Sequence, residues 1–255
     1  MDTSTDRIVV RLSVHPKGRP ESRSLTCVSS PRTPKGRARE VARRLNLEYP
    51  EATCELDHNN AFELLVATIL AAQCTDVRVN IVTPVLFARY PTADDLAVAN
   101  PNEVEEIIHS TGFYQAKTKN IISMARRLVD KYASQVPTEL DDLVTLAGVG
   151  RKTANVVRSV VFKLPGLPVD THVGRLSRKL GLTEQEDPVK VERELNAYLA
   201  PADWGDFSLR TILHGRRVCD AKKPNCGACT LEDICPSSLL PRRRPSRTAK
   251  AASSQ

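Results

Sequence analysis

The sequence predicts an all-α fold, and three observations carry that prediction. Apolar residues between positions 37 and 238 recur at helical spacing. Residues that start and stop helices punctuate the pattern. The same stretch holds no convincing alternating run of the kind a half-buried strand needs.

The elements follow in order. "KGRAREVARRLNLEY" reads as an amphipathic first helix. "NNAFELLVATILAAQ" offers Asn60 as N-cap and is apolar nearly all round, which marks a central buried helix. "TDVRVNIVTPVLFARY" is a third helix that Pro84 should kink or bound. "TADDLAVA" and "NPNEVEEIIHSTG" are short helices, the second with Pro101 near its start and Gly112 at its end. "QAKTKNIISMARRLVDKY" is long and amphipathic, and "TELDDLVTLAGVGRKTANVVRSVVF" reads as helix, tight turn, helix. "DTHVGRLSRKLG" carries Asp170 as N-cap and Gly181 as C-cap. "EDPVKVERELNAYL" has Asp187 as N-cap with Pro188 at the first helical position, and "FSLRTILHGRRV" leads into a cysteine cluster.

The ends of the chain differ from this body. Residues 1–36 are rich in Pro, Ser, Arg and Gly and read as a disordered basic arm, although "RIVVRLSV" (7–14) could form a short strand. Residues 239–255, with "PRRRPSRTAKAASSQ", read as a disordered basic tail. Residues 1–40 hold nine Lys/Arg against four Asp/Glu, and 241–255 hold five against none, which leaves −3 of the total +7 for the body. If the body binds nucleic acid, it does so through a local patch rather than overall charge. The tails are either solvated charge or a source of DNA affinity through counterion release.

No apolar run is long enough to span a bilayer, and the start lacks the basic-then-apolar pattern of a secretion signal. The expectation is a soluble, cytoplasmic, monomeric protein. Seven cysteines in that setting point to metal or catalysis rather than a disulfide framework.

Cys219, Cys226, Cys229 and Cys235 form C-x6-C-x2-C-x5-C, four thiols that can converge on one metal centre. One close pair with two outliers matches neither the paired knuckles of zinc sites nor the common ferredoxin runs, so spacing leaves zinc and iron–sulfur both open. Arg216, Arg217, Lys222 and Lys223 flank the ligands; they would offset their charge and could also touch phosphate. Cys54 and Cys74 read as small buried hydrophobes.

"LAGVGRKT" (146–153) invites comparison with a nucleotide-binding loop, but Arg151 stands where that loop needs glycine, and a helix precedes it. A helix–turn–helix connection with Leu146 and Val149 inward fits better. Gly148 and Gly150 let a phosphate approach, and the amides opening the next helix point at it. Such a turn holds a DNA backbone without reading sequence; the plainer alternative is a simple connecting turn.

Lys152 sits in the first turn of that helix beside Arg151, an unfavourable place for a cation and one that favours a neutral, nucleophilic amine. Its plainer role is a phosphate contact. Asp170 is an N-cap, and a capping carboxylate at the mouth of a cleft can also serve as acid, base or cation stabiliser.

Together "LAGVGRKTANVV", "PVDTHVGRL" and "ILHGRRVCDAKKPNCGACTLEDIC" resemble the endonuclease III DNA glycosylases of base excision repair, and "ILAAQCTDVRVN" and "STGFYQAKTKNI" extend the match over about residues 38–237. The resemblance implies catalytic roles for Lys152 and Asp170 and a [4Fe–4S] cluster on the four cysteines. It implies a six-helix barrel domain at 55–164 carrying the helix–hairpin–helix, and a cluster domain built from 37–54 plus 165–238, with duplex DNA in the cleft between them. The substrate class it implies is DNA with oxidised pyrimidines or abasic sites, cleaved by β-elimination through a lysine Schiff base. Gln73 matches the residue that fills the hole left by an extruded nucleotide, and Phe113 stands where the family often has a leucine wedge. Gly148, Gly150 and Arg151 are the expected DNA contacts of the hairpin, and Asp76, Thr171 and His172 are expected to line the pocket. The related adenine glycosylases lack the lysine and carry a further C-terminal domain, whereas here Lys152 is present and only twenty residues follow Cys235. A monofunctional mismatch glycosylase and a non-catalytic DNA-binding module are the alternative readings.

Overall fold

The computed structural model describes Pro31 and residues 33–241, and among these residues the regular structure is entirely helical. The arm, its possible strand at 7–14, Cys27 and most of the basic tail lie outside the described residues. No described helix is long and apolar enough to cross a membrane.

Eleven α-helices are described: α1 (Pro34–Glu48), α2 (Ala61–Leu70), α3 (Asp76–Arg89), α4 (Ala93–Ala97), α5 (Pro101–Ile108), α6 (Tyr114–Tyr132), α7 (Leu140–Leu143), α8 (Arg151–Val160), α9 (Thr171–Lys179), α10 (Pro188–Tyr198) and α11 (Trp204–Arg217). Short side chains set their starts. Asn60 accepts the Glu63 amide, Asp170 accepts that of Val173 and Asp187 accepts that of Lys190. Pro84 neither bounds nor ends α3, which runs through it. It lies on the exposed face of the helix, where the Asn80 carbonyl it leaves unpaired can find water.

Buried apolar side chains gather in two clusters. The first is centred on α2, whose Leu64, Leu65, Val66 and Leu70 are fully buried, and draws in α3 to α6 and α8. The second joins Ala38, Val41 and Leu45 of α1 to α9, α10, α11 and the loop after α11. The chain thus leaves the second cluster after α1, builds the first, and returns at Leu167. The cores meet where α8 crosses α11. A Cβ on Gly205 would stand 2.6 Å from Cβ of Ser159, so only glycine permits that approach.

Candidate active site

The turn between α7 and α8 is shaped by Gly148. Its φ is +77°, and an added Cβ would press on Asn120 of α6 and Ile69 of α2 at 3.0–3.2 Å, so glycine is required on both counts. Leu146 and Val149 are buried beneath the turn. Gly150 is the N-cap of α8 and would meet nothing with a Cβ, while α8 has no side-chain cap over its first amides.

Two further segments share a backbone signature. Gln73, in the link from α2 to α3, has φ +54°, and Phe113, directly before α6, has φ +48°. Both are exposed, Phe113 to 67%. A bulky residue in the left-handed region is strained, and such strain persists only where its surroundings enforce it. At Phe113 the enforcement is visible: buried Lys117 donates from Nζ to the Thr111 carbonyl at 2.8 Å, and the Thr111 hydroxyl donates to Ile108 O at 2.8 Å. Burial lowers the Lys117 pKa.

Lys152 and Asp170 line one cavity of about 110 Å³ between the cores, with Asp76, Cys54, Glu55, Thr68 and Arg216 among its walls. Lys152 is exposed and has no hydrogen-bond or ion-pair partner among the described residues. Asp170 keeps its cap bond, Oδ1 accepting the Val173 amide at 2.8 Å. Asp76 lines the cavity, but Thr171 and His172 do not. Thr171 is exposed, and His172 turns back against Gly215 of α11, where a Cβ would lie 2.6 Å from its Nδ1.

Arg216 was expected to balance the cysteine cluster. It reaches the cavity instead, donating to the Glu55 carboxylate and, at 3.1 Å, to Asp76 Oδ2. Arg217 stacks over the Tyr49 ring at 5.8 Å, and the backbone amides of Lys222 and Lys223 donate to Asp220. Among the described residues the cation that touches a cluster thiol is Arg175, with Nη1 3.9 Å from Cys219 Sγ.

Cys219, Cys226, Cys229 and Cys235 all line a second cavity, of about 30 Å³. Among the described residues no three His, Cys, Asp or Glu side chains form a group that could hold a single metal ion. Burial pushes the Cys229 thiol up to about 11 and raises that of Cys235. Thiolates here therefore need a positive partner. The Leu231 amide donates to Cys229 Sγ at 3.4 Å, and buried His214 places Nε2 3.4 Å from the same sulfur. Cys54 and Cys74 are half-buried rather than core.

The family model for HhH-GPD superfamily base excision DNA repair proteins matches residues 66–201. Endonuclease III of Synechocystis sp. is 52% identical over 80% of this chain and 94% of its own length. The chain belongs to the endonuclease III family. Two solved endonuclease III structures, a non-covalent DNA complex and a trapped DNA covalent intermediate, each share 42% identity and a TM-score of 0.76, covering 80% of this chain and 95–96% of theirs. The all-helical fold expected from the sequence is the endonuclease III fold.

Proposed function

We propose that this chain is a bifunctional DNA glycosylase and abasic-site lyase that removes oxidised pyrimidines from duplex DNA. The observation that carries the reading is that Lys152 and Asp170 share one cavity between the cores. Lys152 Nζ, which has no hydrogen-bond or ion-pair partner among the described residues, attacks C1′ of an extruded nucleotide. The bond from C1′ to the base breaks as the base takes up a proton, the C1′–O4′ bond of the ring then opens, and the sugar is left as a Schiff base on the lysine. Asp170 accepts a proton from the amine and stabilises positive charge developing on the sugar. Loss of a C2′ proton then expels the 3′ phosphate by β-elimination. That solved endonuclease III structures include a trapped covalent DNA intermediate supports a covalent route.

DNA binding follows from the same surfaces. The uncapped amides at the start of α8 and the bare Cα of Gly150 suit a backbone phosphate. Exposed Gln73 and Phe113 are proposed to fill the hole and wedge the stack. The two apolar clusters support division into a barrel domain at 55–164 and a cluster domain at 37–54 plus 165–238. Cys219, Cys226, Cys229 and Cys235 line one cavity and would hold a [4Fe–4S] cluster, which would supply a structural cross-link rather than a step of the reaction. Membership of the endonuclease III family supports that assignment over zinc.

Borohydride is expected to trap a protein–DNA adduct that Lys152→Ala removes. An adduct of undiminished yield in that variant overturns the assignment of Lys152. Base release without trapping marks a monofunctional enzyme, and binding without nicking of an abasic duplex marks a non-catalytic module. The purified protein is expected to be brown with about four irons per chain; stoichiometric zinc without colour overturns the cluster.

A further inference from the structure

Lys152 and Asp170 come from different cores. Lys152 lies on α8, whose Ala154 and Val157 belong to the first, and Asp170 caps α9, whose Val173 belongs to the second. Their separation therefore depends on how the cores are held against each other. One residue before the lysine, Arg151 Nε and Nη2 donate to the two carboxylate oxygens of Glu192 at 2.7 and 2.8 Å. Glu192 lies on α10 in the second core and is only 5% exposed.

We propose that Arg151 and Glu192 are a positioning pair that fixes the start of α8, and with it Lys152, relative to Asp170. A two-pronged guanidinium–carboxylate bond sets angle as well as distance, which a lysine could not do. No side-chain cap fixes the start of α8. Glu192 is buried while Arg151 is half-exposed, and such an ion pair contributes little to stability but can enforce a unique arrangement. The same geometry redirects the sequence-based expectation for Arg151, because a phosphate contact by its guanidinium would have to break this bond. The proposal rests on the lyase reading above.

The test uses an abasic duplex and the full chain as wild type, Arg151→Met, Glu192→Met, Glu192→Gln and the double Arg151→Met/Glu192→Met. Single-turnover strand cleavage, duplex affinity and the salt dependence of affinity are measured for each. Either Met variant is expected to slow single-turnover cleavage on the order of ten- to a hundred-fold. Affinity and salt slope should stay unchanged, and the double variant should be no slower than the singles. Glu192→Gln keeps the shape and one acceptor, should slow cleavage less, and decides the matter if Glu192→Met fails to fold. The proposal is overturned if Glu192 variants cleave at the wild-type rate while Arg151→Met weakens binding and lowers the salt slope by about one, the signature of a phosphate contact. An inactive wild type overturns the lyase reading and this pair with it; an active wild type indifferent to Glu192 overturns the pair alone.

Discussion

The two cores are held together differently. The first is packed around an almost wholly apolar α2, in which eight of ten residues are buried. Thr68 and Thr83, two of its buried hydroxyls, donate to carbonyls in their own helices. Both cores bury polar side chains, Lys117 and Asn155 in the first and Glu192, Ser208 and His214 in the second, but the elements of the second are tied by polar bonds that span most of the chain. Arg44 of α1 binds the Thr230 carbonyl at 2.8 Å and the Asp233 carboxylate in the cysteine loop. Arg37 donates to Gly181 O at 2.6 Å, and Arg210 donates to Tyr49 O at 3.2 Å. Hydrophobic burial is non-directional, whereas hydrogen bonds and metal ligation set orientation. The first core supplies a rigid platform for the hairpin and the two strained loops; the second is assembled from distant chain segments, and its shape depends on directional bonds.

Removing one cysteine should separate the two regions most sharply. Cys229→Ala is expected to strip the iron of the proposed cluster and expose amides of residues 165–238 to hydrogen exchange while α2 and α6 stay protected. Simultaneous loss of protection in both regions would break the comparison. Leu65→Ala should cost about 2–5 kcal/mol, through a cavity in the apolar core, read as a lowered unfolding midpoint. Ser208→Ala probes the polar core. Its hydroxyl donates to Pro168 O at 2.6 Å beside the cavity, and leaving that carbonyl unpaired should cost about 1–3 kcal/mol.

The smallest effect is set by acid. Hydrogen bonds from Arg43 and Arg44 hold the Glu40 carboxyl at about 2, below its ordinary 4.5. A carboxylate held low in the folded state contributes stability that is complete above its unfolded pKa. That contribution should fade as pH falls from about 4.5 towards 2. Arg43→Met, which removes the stronger of these bonds and leaves the ties of Arg44 in place, should flatten the acid limb of the melting curve; because Arg43 is exposed the change should stay below about 1 kcal/mol. An acid limb identical in both proteins would show that the clamp contributes nothing.

What was legible in the sequence was local. Asn60, Asp170 and Asp187 cap helices because each bonds an amide three residues ahead, within the window a sequence pattern spans. The ordered motifs placed the family, and Lys152 and Asp170 do face one cavity. What is not legible there is bonded across the chain. Arg216 meets Glu55 and Asp76 over 161 and 140 residues, and Arg151 meets Glu192 over 41. No spacing rule connects such partners, so flanking position alone sent Arg216 to the cysteines. Thr171 and His172 are expected to line the pocket, but neither walls this cavity: Thr171 is exposed and His172 packs against Gly215. Arg175 gave no signal, since nothing in sequence brings it to Cys219.

The contact of Gly205 with Ser159 has a mechanical consequence. Where α11 crosses α8 there is no clearance at all, and a single methyl group there would act as a shim. Driven between the helices, it would tilt one core against the other at the edge of the cavity that Lys152 and Asp170 line. The spacing of those two side chains is thus gauged, in part, by a carbon atom that is not there.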